Sequence, residues 1–90
     1  MTKHFTLSIS GLVQDVFFRD TAKEVAGKLG VFGYIKNELD GTVYAEIEGD
    51  EKATSEFTAW CHRGPELARV EKVEAKEGTV EGFTHFEIKL

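Results

Sequence analysis

The chain has 90 residues, room for one hydrophobic core and too few for two. It is 41% hydrophobic and 30% charged, with a net charge of −5, and that balance excludes general nucleic-acid binding, which needs a basic surface. Cys61 is the only cysteine, which excludes an intrachain disulfide and any Cys-rich zinc pattern. There is no apolar run of about 18 residues and no signal-type N-terminus, so the expectation is a cytoplasmic protein with no membrane segment.

Phe5, Leu7 and Ile9 alternate with His4, Thr6 and Ser8, the period of a half-buried strand. From Asp20 to Gly30 the apolar residues Ala22, Val25, Ala26 and Leu29 mark one helix face. Thr21 and Glu24 have capping-box spacing, and Gly30 supplies a stop. "VFGYIKN" (31–37) reads as a second strand and "ELDG" (38–41) as a turn, with Asp40-Gly41 as its hairpin signal. Val43, Ala45 and Ile47 alternate with Tyr44, Glu46 and Glu48 in a third strand. A second helix carries Ala53, Phe57, Trp60 and Cys61 on one stripe and ends at Gly64-Pro65. "RVEKVEAKEG" (69–78) is a strand in which Val70 and Val73 are out of phase, so a bulge is expected. Phe86, Ile88 and Leu90 close the chain in a short strand.

The order β-α-β-β-α-β plus a short C-terminal strand predicts an α+β, ferredoxin-like sandwich. In it, two helices cover one face of an antiparallel-rich sheet. No linker or repeat interrupts residues 1–90, which are expected to form a single domain. That fold hosts many functions and names none.

Chemistry is expected in "GLVQDVFFRD" (11–20), where the first strand turns into the first helix. A helix N-terminus leaves backbone N–H groups unpaired and carries a positive partial charge. Arg19 adds a planar fork of donors suited to phosphate or carboxylate oxygens. On local sequence alone, Arg19 is also readable as a plain surface residue at a helix start.

"ISGLVQDVFFR" (9–19) resembles the signature of acylphosphatases, in which Gly-x-Val-Gln-Gly-Val-x-Phe-Arg forms a phosphate cradle. "GYIKNELDGTVYAEIEG" (33–49) is similar to the family's second signature through Gly33, Tyr34, Lys36, Asn37, Gly41, Val43 and Gly49. Trp60, "GPELARVEKV" (64–73) and "HFEI" (85–88) extend the likeness over nearly the whole chain. The resemblance implies hydrolysis of an acyl phosphate to a carboxylate and inorganic phosphate, with no cofactor and no metal. It implies a phosphate-binding loop of Gln14, Asp15, Val16, Phe17, Phe18 and Arg19, acting mainly through backbone amides. Arg19 would grip the phosphoryl oxygens and Asn37 would orient the attacking water. The expected partners are small molecules, with no nucleic acid and no membrane, and the expected state is a monomer.

Two positions depart from the family pattern. Leu12 replaces a residue that is often basic, and Asp15 stands where Gly is usual. Asp tolerates the left-handed backbone that Gly would supply. Its charge is the larger issue: a carboxylate about 5 Å from a bound unit negative charge costs about 3 kcal/mol at an effective dielectric near 20, and under about 1 kcal/mol in water. Asp15 thus opens an alternative, a non-catalytic anion-binding module that keeps the fold and has lost turnover. An RNA-binding ferredoxin-like domain is disfavoured, because the third strand offers Tyr44, Glu46 and Glu48 in an acidic protein.

The remaining polar residues have plainer readings. Cys61 and Trp60 belong to the core. His4, His62 and His85 show no metal-ligand spacing, and His4 and His85 lie on faces expected to meet water. Glu46 and Glu48 read as outward acids that keep a sheet soluble, and no carboxylate cluster of the kind that holds Mg²⁺ is visible. Tyr34 is open between lining the substrate site and packing.

Overall fold

The structure is a computed structural model describing residues 1–90. Its elements are β1 (Thr2–Leu12), α1 (Phe18–Leu29), β2 (Phe32–Asn37), β3 (Val43–Asp50), α2 (Glu51–Arg63), β4 (Arg69–Gly78) and β5 (Phe86–Ile88). The strands form one sheet in the order β4-β1-β3-β2-β5. All neighbours pair antiparallel except β2 and β5, which are parallel. Since β3 separates β1 from β2, the β1-α1-β2 crossover skips one strand, which is the split β-α-β arrangement.

Strand alternation decides which side chains meet the helices. Leu7, Ile9, Ile35, Val43, Ala45 and Ile47 are fully buried on one face, beneath Phe18, Ala22 and Ala26 of α1 and Phe57 and Cys61 of α2. Burial pushes the Cys61 thiol up to about 12, so it stays protonated and packs as a small apolar group. Trp60 is only partly buried and rests against the core, its ring 5.2 Å from Phe18 and 6.1 Å from Phe57. The expected bulge falls where Ser10 pairs with Lys72 and Gly11 with Val70, which leaves Glu71 extra. Gly11 is required there: at φ 123°, an added Cβ would lie 2.1 Å from the Arg69 carbonyl oxygen.

The other face of the sheet departs from expectation. His4 and Glu48, read as solvated, are 3% and 2% exposed. Residues 79–85 join β4 at one sheet edge to β5 at the other, and as a strap they cross this face. Glu48 Oε1 accepts the Gly82 and Phe83 N–H groups at 3.0 Å each, and Oε2 accepts the Glu81 N–H. His4 Nδ1 lies 2.7 Å from Glu48 Oε2, and the Phe83 ring stacks on His4 at 5.8 Å. Glu46 Oε2 accepts the Tyr34 and Tyr44 hydroxyls at 2.7 Å each. The strap supplies the cover that strand periodicity alone could not announce.

Burial raises the Glu48 carboxyl, but the strap amides and His4 outweigh it and hold the group below its ordinary 4.5. A carboxylate depressed in the folded state gives its full stabilisation above the unfolded value and loses it as pH falls through the folded value. Urea unfolding is therefore expected to show stability declining below about pH 4.5. Glu48→Ala is expected to cost about 3 kcal/mol at pH 7, since it strips the partner from His4 and three strap amides. A flat profile from pH 6 to 3 would refute this role of the strap anchor.

Candidate active site

Five residues, 13–17, link the end of β1 to the start of α1. None of the N–H groups of residues 14–17 donates to another backbone group, so these donors remain available to a ligand. The loop curls because two non-glycine residues adopt positive φ, Asp15 at 62° and Phe17 at 65°. Asp tolerates this region; for a residue as bulky as Phe it is an outlier, of a kind that clusters at functional sites. Phe17 is also 67% exposed, so burial of its ring does not repay the strain.

The helix start differs from expectation. α1 begins at Phe18, before Asp20, and the residue preceding it, Phe17, makes no side-chain cap. Thr21 does not cap an N-terminus: its Oγ1 donates to the Phe17 carbonyl at 2.8 Å, alongside its own N–H at 3.1 Å. The earlier start places Arg19 at the second helical position, within the first turn, where the free amides and the positive end of the dipole lie. Asp20 follows in that turn.

A cavity of about 370 Å³ opens at this turn, lined by Val13, Asp15, Phe17, Phe18, Arg19, Asp20, Asn37 and Ile88. Asn37 is the last residue of β2 and pairs with Val43. Alternation puts it on the helix side with Gly33 and Ile35, and puts Tyr34 on the strap side. Tyr34 is thus separated from this cavity by the sheet, and its hydroxyl is held by Glu46. Asn37 Oδ1 is buried and has no hydrogen-bond partner. An orphaned acceptor in a cavity wall is a place for a polar ligand or a water proton.

Of the expected loop residues, Asp15, Phe17, Phe18 and Arg19 line the cavity, whereas Gln14 and Val16 do not. Val16 is buried in the core. The Gln14 amide donates to the Glu38 and Thr42 carbonyls at 2.8 and 2.9 Å, pinning the loop to the β2–β3 hairpin directly after Asn37. That tie fixes the loop against the strand end and joins the two halves of the site. Val13, Asp20 and Ile88 were not anticipated as lining residues. Ile88 reaches the site because β5 runs parallel beside β2, a pairing across more than 50 residues of chain that no local pattern signals.

Asp15 does not pair with Arg19: none of the protein's ion pairs includes either residue. Arg19 therefore faces the cavity with its charge uncompensated, and Asp15 is exposed at the rim. Water around an exposed carboxylate screens it, which puts its effect on a bound anion at the small end of the expected range.

The acylphosphatase family model matches residues 5–88. An acylphosphatase of Nocardioides sp. is 46% identical over 83 residues, covering 92% of this chain and 84% of its own. Among solved structures, an acylphosphatase from Bacillus subtilis superposes with a TM-score of 0.95 at 30% identity, covering all of both chains. One from Coxiella burnetii gives 0.94 at 31% identity, covering 98% of this chain and 93% of its own. With the match running through both the cradle and the strand that ends at Asn37, the chain belongs to the acylphosphatase family.

Proposed function

We propose that the chain hydrolyses acyl phosphates in this cavity, with Arg19 and the loop amides binding the phosphoryl group and Asn37 orienting the attacking water. The observation that carries this reading is the buried, unpartnered Asn37 Oδ1 in the wall of a cavity that also holds an unpaired arginine. A dianionic acyl phosphate carries no P–OH and offers this oxygen acceptors only, so in the substrate complex the donor that meets Asn37 Oδ1 is the attacking water.

In the reaction the water oxygen attacks phosphorus while the bond from phosphorus to the acyl oxygen breaks. The carboxylate departs with the bond's electron pair, and the water proton passes to a phosphoryl oxygen, giving inorganic phosphate. A carboxylate is a good leaving group, so acid catalysis is not demanded. Positioning and charge stabilisation carry the rate. Arg19 offers two parallel N–H donors to the equatorial oxygens, and the amides of 14–17 add neutral donors. Val13, Phe17 and Ile88 give the rest of the cavity an apolar lining for the acyl portion.

Benzoyl phosphate hydrolysis with competitive inhibition by inorganic phosphate is the expected behaviour. Phosphate binding without turnover would favour the non-catalytic alternative. Residues 1–90 are proposed to act as one monomeric, cytoplasmic unit. No helix is long and apolar enough to cross a membrane.

Asp15 sets a second test. Asp15→Gly is expected to raise kcat/KM severalfold at low salt, by removing negative charge from the cradle. Asp15→Asn keeps the tolerance for positive φ and is expected to recover most of that gain. The difference should shrink as ionic strength rises. Equal kcat/KM in all three proteins at low salt would show that the carboxylate has no electrostatic effect on the site.

A further inference from the structure

On the strap side of the sheet, a second group of side chains converges that hydrolysis leaves unused. His4 Nε2, a Glu46 carboxylate oxygen and a Glu81 carboxylate oxygen all lie within 4.8 Å of one another. Nε2 and Glu46 Oε1 are 3.3 Å apart, the spacing of two ligands that share a tetrahedral ion at about 2.0–2.1 Å from each.

Charge and proton placement both ask for a cation there. The His4 side chain is 4% exposed, and its Nδ1 faces the Glu48 carboxylate at 2.7 Å. An ionised carboxylate only accepts, so Nδ1 carries a proton. That leaves Nε2 directed at a second carboxylate oxygen, where it can ligate a cation through its lone pair. Three carboxylates, Glu46, Glu48 and Glu81, surround this one imidazole, and no lysine or arginine forms an ion pair with any of them. Lys89 sits over the Tyr34 ring instead. Even a protonated imidazole would leave the group with an excess of negative charge.

We propose that His4 Nε2, Glu46 and Glu81 form a binding site for a divalent transition-metal ion of the zinc class, which ties the strap to the sheet. A ligand set of one imidazole and two carboxylates suits that class. Glu48 orients the imidazole through Nδ1, and the two tyrosine hydroxyls hold the other oxygen of Glu46, as outer partners of a metal site do. Glu81 is exposed and provides both the third ligand and the entry path. Asn37 and Arg19 lie across the sheet, so the ion acts on stability and takes no part in hydrolysis.

The test is titration of chelator-treated protein with Zn²⁺ by calorimetry, followed by thermal unfolding. One ion per chain and a rise in Tm of about 5 °C or more near saturation are expected. Glu81→Gln removes an outward ligand and keeps the strap's backbone bonds to Glu48. It is expected to weaken Zn²⁺ binding at least about tenfold without lowering the metal-free Tm. His62→Asn combined with His85→Asn removes the exposed imidazoles that could bind zinc elsewhere, and this variant is expected to keep wild-type affinity. Co²⁺ in place of Zn²⁺ is expected to give visible absorption in the wild type that Glu81→Gln loses. No binding by the wild type, undiminished binding by Glu81→Gln, or loss of binding in the double histidine variant would each overturn the proposal.

Discussion

Arg19→Ala is expected to lower kcat/KM for benzoyl phosphate about 10³-fold, within the range seen when one arginine or one oxyanion donor is removed from a phosphoryl- or acyl-transfer site. Arg19 is the only cationic side chain lining the cavity, beside Asp15 and Asp20. Its removal leaves the developing phosphoryl charge with amide donors alone, in a protein whose mean field is already negative. Inorganic phosphate should lose affinity in parallel, because the same fork of donors holds ground state and product. Arg19→Lys is expected to recover little, since a point charge on a flexible stem does not reproduce two parallel N–H bonds. Stability should change by less than about 0.5 kcal/mol, because the guanidinium holds no ion pair within the protein. Undiminished turnover in Arg19→Ala would remove Arg19 from the site.

Legibility of the fold and the site followed physical range. Leu7, Ile9, Val43, Ala45 and Ile47 were readable because alternation is local and the face they share is buried by helices with their own period. The bulge opposite Gly11 was readable for a similar reason, since Val70 and Val73 break phase within four residues. His4 and Glu48 were misread because the same alternation marks them as outward, and nothing near them signals a covering strap. The strap segment, "TVEGFTH" (79–85), has no period. It is held by backbone N–H groups donating to a carboxylate more than 30 residues away.

The site divides along the same line. A helix N-terminus with an arginine was a local inference, and the family resemblance added Asn37 as its partner. The helix start is open by a turn in the sequence, and the capping spacing of Thr21 and Glu24 points the wrong way within it, because the true start rests on Phe17 in a left-handed conformation. Such a start carries no sequence mark, as Phe is among the residues least expected there. The part played by Gln14 was also hidden. Its amide bonds two hairpin carbonyls, and that contact exists only once β2 and β3 have folded against the loop. The contact nonetheless does the central positioning, because it ties the cradle to the strand that ends at Asn37.

Asn37→Ala is expected to separate activity from stability in the opposite direction from a damaged core. The Asn37 Oδ1 has no hydrogen-bond partner within the protein, so its replacement removes no intramolecular bond of the kind that contributes about 0.5–1.5 kcal/mol. Alanine leaves a small space at the edge of an open cavity rather than a sealed void. Tm is therefore expected to hold within a few degrees. Over the same substitution kcat should fall about 10²-fold, the scale of losing one positioned hydrogen-bonding group, while phosphate affinity stays near the wild-type value. That pattern differs from Arg19→Ala, which strikes phosphate affinity and kcat together. It also separates the hydrolase from a binding module: in a module, Asn37→Ala would keep its stability and its phosphate affinity and have no turnover to lose. If Asn37→Ala instead unfolds at lower temperature and keeps its kcat, the asparagine is a structural residue, and the attacking water must be oriented by another group in the cavity.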